Sequence, residues 1–155
     1  MDDLEKILSQ HPLLHGLPPQ HLRVLAGCAS NVRFNAGRII FREGQEATGC
    51  YFIRSGRVAV EIYAAQPGPV TIETIAEGGI LGWSWLVPPY RTHFDARAVE
   101  LTRAIAIDTT CLRGKMTQDH DLGYELLNRF AQVIVQRLTA ASIQLLDIYA
   151  VRERG

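Results

Sequence analysis

Short apolar runs separated by glycines occupy the middle of the chain, between about residues 31 and 108. Each run is rich in β-branched and aromatic residues, which favour strands. The runs are Val32–Phe34, Arg38–Phe41, Cys50–Arg54, Val58–Tyr63, Val70–Ile75, Phe94–Val99 and Arg103–Ile107. Gly56, after Ser55, suits the clearest turn because glycine tolerates a positive φ. Strands this short and evenly spaced predict a closed sandwich or roll rather than a parallel sheet with crossover helices.

The two ends of the chain carry a helical period instead. Residues 1–30 predict short helices, broken at Pro12 and at the Pro18-Pro19 pair. From about residue 119 to the end, apolar residues alternate at spacings of three and four, which predicts one long helix. We call these residues the seam: Tyr124, Leu127, Ala131, Ile134, Leu138, Ala141, Leu145 and Ile148. The pattern predicts one domain with N-terminal helices (1–30), a β-roll (31–108) and C-terminal helices (109–155).

The long helix has a second apolar line along its first half only, formed by Leu122, Leu126, Phe130 and Val133. The first half therefore has two faces to bury, as expected of a helix that packs on the roll. The second half keeps the narrower seam, which suits the same helix of a second copy. The alternative is that the seam lies on this domain's own sheet. We expect a homodimer with the interface residues Ile134, Leu138, Ala141, Leu145 and Ile148.

Composition narrows the class of protein. Sixteen Lys and Arg balance sixteen Asp and Glu, so no excess of positive charge attracts nucleic acid, and no polybasic run suits a membrane surface. Neither a signal-peptide pattern nor a membrane-spanning apolar stretch is present. Cys28, Cys50 and Cys111 are far apart, odd in number and form no C-x-x-C pair, which fits reduced thiols. We expect a cytoplasmic protein with no metal site and with neither nucleic acid nor membrane as a partner.

Four motifs between residues 17 and 58 resemble a known family, and the resemblance extends over roughly Leu13 to Tyr149. They are Leu17-Pro18-Pro19-Gln20-His21-Leu22, Phe34-Asn35-Ala36-Gly37, Phe41-Arg42-Glu43-Gly44 and Tyr51-Phe52-Ile53-Arg54-Ser55-Gly56-Arg57-Val58. This succession resembles the effector domain of catabolite-activator-type (CRP/FNR) regulators. The resemblance implies a mainly β fold: an eight-stranded, jelly-roll-like β-roll (a double-stranded β-helix) with flanking helices and a long dimerisation helix. Regulators of this family continue into a helix-turn-helix domain, whereas this chain stops at Gly155, so we expect no DNA-binding domain.

The resemblance also implies a ligand site in the loop that follows the sixth strand. In cyclic-nucleotide binders a Gly-Glu pair begins a short helix, the glutamate binds the ribose, and an arginine pairs with the cyclic phosphate. Here Gly82 matches the glycine, but Trp83 stands at the glutamate position. Thr92 falls near the phosphate-arginine position, and Arg91 lies one residue away. The pattern therefore predicts a ligand pocket, but the residues that would bind cyclic AMP in that pocket are only partly matched.

Two tryptophans in this loop have two interpretations. Trp83 and Trp85 either stack an aromatic ligand or fill an emptied pocket as part of the core. Ser84 between them either donates to an anion or caps the short helix.

The remaining candidate ligand residues are Arg91, Thr92, His93 and Ser142. Arg91 either pairs with an anion or is a solvated loop residue. His93 either binds a ligand or has a structural role on its strand. Ser142 retains one of the two hydroxyls that this family presents to the base from the dimer helix. Ala141, at the adjacent position, has no hydroxyl.

Catalysis and cofactor binding find little support in the sequence. Carboxylates are scattered without a spaced pair, and Ser55 lacks the G-x-S-x-G elbow of a nucleophile. Cys28 alone cannot supply the cysteine cluster of the family's iron–sulfur variant. The histidines His11, His15, His21 and His120 are candidate haem ligands by residue type only, and a solvated position is the preferred interpretation of each.

Two hypotheses of function remain. The first is a stand-alone sensor that binds a cyclic nucleotide or another small anionic or aromatic effector and signals through its dimer helix to a protein partner. The second is a ligand-free roll that acts as a dimerisation or protein-interaction scaffold, with Trp83 and Trp85 packed inward. A third possibility is that the chain is a fragment of a longer transcription factor.

Overall fold

A computed structural model describes residues 3–64, 66 and 68–154. The strands are β1 (Ala29–Phe34), β2 (Ile39–Phe41), β3 (Gly49–Ser55), β4 (Arg57–Ala64), β5 (Gly68–Ala76), β6 (Ile80–Leu81), β7 (Asp95–Ala98) and β8 (Thr102–Asp108). The helices are α1 (Asp3–Ser9), α2 (Pro19–Gly27), α3 (Thr109–Gln118) and α4 (His120–Arg154), with single 3-10 turns at Pro12–Leu14 and Ser84–Leu86. The mainly β roll with flanking helices that the sequence predicts is confirmed.

The strands form two antiparallel sheets of four, in the orders β1-β8-β3-β6 and β2-β7-β4-β5. All seven strands predicted from the apolar runs are present. The eighth, β6, has only two residues, paired with Tyr51 and Phe52 of β3, and a run that short shows no alternation in the sequence. Consecutive strands change sheet several times, as expected of a jelly roll.

Gly56 is one of the points at which the chain passes from one sheet to the other. It joins β3 to β4 with a φ of +92°. A Cβ at this position would lie 2.6 Å from Cα of Thr102. Glycine is therefore required here both by the backbone conformation and by the close approach of β8, and the predicted turn is confirmed.

The main core lies between the β1-β8-β3-β6 sheet and the helices. Leu122, Leu126 and Phe130 of α4 are almost fully buried there, so the second apolar line does pack on the roll. Two histidines interpreted as solvated also belong to this region: His21 is buried, and His11 is half-buried with its ring edge against Phe52. The surface interpretation of these two is wrong.

The seam on the second half of α4 is uncovered. Leu138 is 66% exposed and Leu145 is 57% exposed, so the alternative in which the seam lies on this domain's own sheet does not hold. α4 runs for 35 residues, yet within the described residues no helix has an apolar stretch long enough to cross a membrane.

The cysteines correct the expectation of reduced thiols. Cys28, at the end of α2, forms a disulfide with Cys111 of α3, across 83 residues of sequence. Cys50 is free and buried in the core, where burial raises the pKa of its thiol to about 12. The disulfide removes the argument from cysteine spacing for a cytoplasmic location.

Candidate ligand site

A cavity of about 740 Å³ lies between the roll and the second half of α4. Its walls come from β5, from the loop that contains Trp83 and Phe94, and from the seam. The apolar side chains that define it include Ile72, Trp83, Phe94, Ile134, Leu138 and Leu145. Ala140 and Ala141 also line it, and their small side chains leave the space that larger residues on α4 would fill.

The segment of residues 82–92, which we call the ligand loop, begins at Gly82. This residue has a φ of +89°, and a Cβ there would lie 3.0 Å from the carbonyl oxygen of Gly49. The helix implied by the resemblance is reduced to the single 3-10 turn Ser84–Leu86. Ser84 begins this turn instead of capping it; Trp83 occupies the cap position and makes no side-chain capping bond.

The two tryptophans have different surroundings. Trp85 is 1% exposed and belongs to the main core, where its ring meets Phe130 edge-on at 5.3 Å between centroids. Trp83 is half-buried, lines the cavity and lies 6.3 Å from the ring of His93. Of the two, Trp83 is therefore the one that can contact a ligand in this cavity, and Trp85 supports the loop from beneath.

The polar candidates at the end of the ligand loop are engaged within the fold. Nη1 of Arg91 donates to the carbonyl oxygen of Gly44 at 2.9 Å, and Arg91 is exposed. The Thr92 hydroxyl donates to the carbonyl oxygen of Arg42 and accepts from the N–H of Gln45 at 3.1 Å. These bonds tie the loop to the turn between β2 and β3, away from the cavity lining.

His93 and Ser142 also lie outside the cavity lining. His93 is exposed next to Trp83. The Ser142 hydroxyl donates to the carbonyl oxygen of Leu138 within α4 at 2.9 Å. Of the eight predicted ligand residues, the structure brings Trp83 to the cavity and keeps Gly82 as the backbone hinge beside it.

Arg137 and Glu73 are lining residues that the sequence prediction missed. Nε of Arg137 lies 3.4 Å from Oε1 of Glu73 on β5, and its Nη2 donates to the carbonyl oxygen of Ile80. The pair joins α4 to the roll at one end of the cavity. A signal was available, because Arg137 follows Val133 by one helical turn on the face that packs on the roll, where an arginine needs a partner.

A family profile for the cyclic nucleotide-binding domain matches residues 31–119. Among curated proteins, the CRP-like cAMP-activated global transcriptional regulator of Mycobacterium tuberculosis is 22% identical over 145 residues, which are 94% of this chain and 63% of the relative. This chain therefore spans less than two thirds of the length of the curated relatives that it matches.

Solved structures agree. A cyclic nucleotide-binding-like protein from Brucella abortus is 34% identical with a TM-score of 0.60, over 72% of this chain and 96% of that one. A protein from Geobacter metallireducens named for cyclic-nucleotide binding is 26% identical with a TM-score of 0.78, over 89% and 99%. The catabolite activator protein of Thermus thermophilus, 22% identical over 86% and 61% of the two chains, shares the fold with a TM-score of 0.68. With this profile match and this shared roll, the chain belongs to the cyclic nucleotide-binding domain family and is related to CRP-type regulators.

Proposed function

We propose that this chain is a regulatory module that binds a small effector between the roll and α4 and signals by changing the position of α4 in a homodimer, without catalysing a reaction. The observation that carries the proposal is the cavity whose walls come from both the roll and the seam. A ligand that contacts Trp83 on one side and Leu138 on the other would bind one arrangement of α4 more tightly than another. Such differential binding is what allows a ligand to shift a conformational equilibrium.

The partners follow from the same features. The exposed seam suits a second copy of this chain, and the balanced charge suits a protein partner downstream rather than nucleic acid or a membrane. The curated relative is described as a cAMP-activated transcriptional regulator. We propose that this chain is likewise a regulatory protein, and the titration below identifies its effector.

Calorimetric titration of the full chain tests the proposal. The panel contains cyclic mono- and dinucleotides together with uncharged and anionic metabolites. We expect at least one ligand to bind with a stoichiometry of one per chain, and Trp83→Ala to weaken that binding about tenfold. Val87→Ala, an exposed change in the same loop, is the matched control and should have no effect. A folded protein that binds no member of the panel contradicts the sensor proposal.

A scaffold without a ligand is the second candidate. Two observations favour it: Trp85 is part of the core, and the polar groups of Arg91 and Thr92 are used within the fold. If the chain is a scaffold, no ligand of the calorimetric panel should bind. The dimerisation constant should also stay unchanged when Ala140→Phe fills the cavity. The sensor predicts at least one binder, and loss of that binding in Ala140→Phe.

A further inference from the structure

We propose that the cavity binds an uncharged, flat and largely apolar molecule and not a nucleotide phosphate. This inference rests on the proposed function, because it names the class of ligand for the same site. The charges, the backbone donors and the shape of the cavity all support it.

The charges of the cavity lining do not suit a phosphate. An enclosed phosphate needs a cation whose hydrogen bonds are free to point at it. Among the described residues that line the cavity, Arg137 is the one cation, and its guanidinium is already bound to Glu73 and to the carbonyl oxygen of Ile80. Glu73 also lines the cavity, so the lining has no net charge. A phosphate here would face a carboxylate and a cation that is already paired.

The ligand loop, where the family places the phosphate partner, supplies no cation to the cavity either. Arg91 is exposed and donates to the carbonyl oxygen of Gly44, and Thr92 is held by Arg42 and Gln45. Neither lines the cavity. The single turn Ser84–Leu86 aligns too few peptide dipoles to replace a cation, because the field at a helix end is a sum over successive turns.

The shape and polarity of the cavity suit a flat, apolar molecule. Trp83 and Phe94 supply aromatic surface on the roll side, and Ile72 adds an aliphatic wall from β5. Across from them, Ala140 and Ala141 leave room between the longer side chains of α4. Aromatic side chains gain most from offset stacking or edge contacts with a planar partner. The lining is largely apolar, and its polar side chains are Glu73, Arg137, Gln136 and Gln144. A mostly apolar lining with a few polar groups is the usual form of a small-molecule pocket.

The occupant is a small molecule because the space extends inward, past the seam, to β5 and the ligand loop. A second α4 packed along the seam would cover Leu138 and Leu145, the most exposed of the large apolar residues that line the cavity. It would then close the open side of the cavity without filling the part beside Trp83. The apolar ligand and the second copy therefore occupy adjoining spaces.

The test uses N-phenyl-1-naphthylamine, an uncharged apolar fluorophore, with the full chain. The chain has two tryptophans, so Trp85→Phe leaves Trp83 as the sole indole. We expect saturable binding, with a rise in dye fluorescence and quenching of Trp83 in Trp85→Phe. Cyclic AMP and cyclic GMP should neither bind at the same concentrations nor displace the dye.

Two matched pairs locate the dye. Ile72→Ser should weaken dye binding about tenfold, whereas Val70→Ser should not; both residues lie on β5, are about equally exposed, and only Ile72 lines the cavity. On α4, Ala141→Phe should block the cavity, whereas Ala131→Phe, also on the seam but outside the lining, should not. Because Ile72 is already 39% exposed, its replacement leaves the core intact even where Ala141→Phe disturbs folding.

Three results would overturn the inference. Tight binding of a cyclic nucleotide without dye binding would reject the ligand class and leave the sensor function standing. Dye binding that is equally strong in Ile72→Ser and Val70→Ser would place the dye on the exposed seam instead. Absence of binding by the dye and by the whole calorimetric panel would reject the sensor function together with the inference.

Discussion

His11 connects three parts of the molecule through one imidazole ring. Its Nδ1 accepts from the N–H of Leu13 at 3.1 Å, so its Nε2 carries the proton and donates to the carbonyl oxygen of Gly78 at 2.9 Å. Its ring meets Phe52 edge-on. The neutral form therefore caps the first 3-10 turn and anchors the β5–β6 turn, and burial lowers the pKa of His11 below 6.5.

This geometry predicts a loss of stability on acidification. Because the pKa of His11 is lower in the folded state, the unfolded state binds more protons just below pH 6.5, and the free energy of unfolding falls as the pH drops from that value. Urea unfolding at pH 7.5 and 5.5 measures the effect. The difference should be smaller in His11→Asn, whose side chain can still accept from Leu13. An equal pH dependence in both proteins would contradict the assignment.

Gly82 is a second residue whose role is local and testable. Its positive φ and the close carbonyl oxygen of Gly49 both oppose a side chain, so Gly82→Ala should lower the free energy of unfolding by about 1–3 kcal/mol. Gly114→Ala is the control, since a Cβ there meets no atom within 4 Å and α3 gains helix propensity. Denaturant midpoints compare the two variants, and equal midpoints would show that the ligand loop absorbs the change without strain.

The disulfide ties the end of α2 to α3 and joins two cysteines that are 83 residues apart in the sequence. Closing a loop of this length restricts the unfolded chain and contributes about 4.5 kcal/mol by the chain-entropy estimate. Dithiothreitol should therefore lower the urea midpoint of the native protein. The double variant Cys28→Ser with Cys111→Ser should unfold at the lower midpoint, with or without reductant. The pairing would be contradicted if dithiothreitol left the urea midpoint of the native protein unchanged and a peptide map showed free thiols at Cys28 and Cys111.

The two halves of α4 differ in what they pack against. The first half is part of the core through Leu122, Leu126 and Phe130, whereas the second half extends beyond it with an exposed apolar seam. Seventeen large hydrophobic residues are exposed in the described chain, and ten of them lie on α4: Tyr124, Leu127 and eight more from Val135 onward. This concentration on one helix is typical of an interaction surface.

The seam predicts the oligomeric state. Leu138→Asp and Leu145→Asp each place a charge where the partner helix would bury it, so each should weaken dimerisation by about 3 kcal/mol or more. Sedimentation equilibrium measures the dissociation constant. Thr139→Asp introduces the same charge on an exposed position outside the seam and should leave it nearly unchanged. A native protein that remains monomeric at high concentration would reject the dimer.

Much of the architecture could be predicted from local pattern. The seven longer strands follow from apolar runs and glycines, the Gly56 turn from its residue type, and the two faces of α4 from helical spacing. These features depend on which face of an element is buried, and burial of one face imposes a repeating pattern of apolar residues along that element. β6 has only two residues, which are too few to show such a pattern.

The candidate site was predicted less completely, because its residues act through partners far away in the chain. Thr92 is held by Arg42 and Gln45, about fifty positions earlier, and Arg137 meets Glu73 across 64 positions. The family resemblance pointed to the ligand loop, of which Trp83 lines the cavity. It could not show which tryptophan belongs to the core and which lines the cavity.

Local periods in the sequence are enough to predict the roll, the long helix and its apolar seam, because neighbouring residues express each period together. Contacts between distant residues appear only in the folded chain: Cys28 meets Cys111, Arg137 pairs with Glu73, and the seam is left uncovered. Arg91 and Thr92 likewise serve the fold outside the cavity. The order of strands in the two sheets brings residues from distant positions into contact, and no local period specifies which of them will meet.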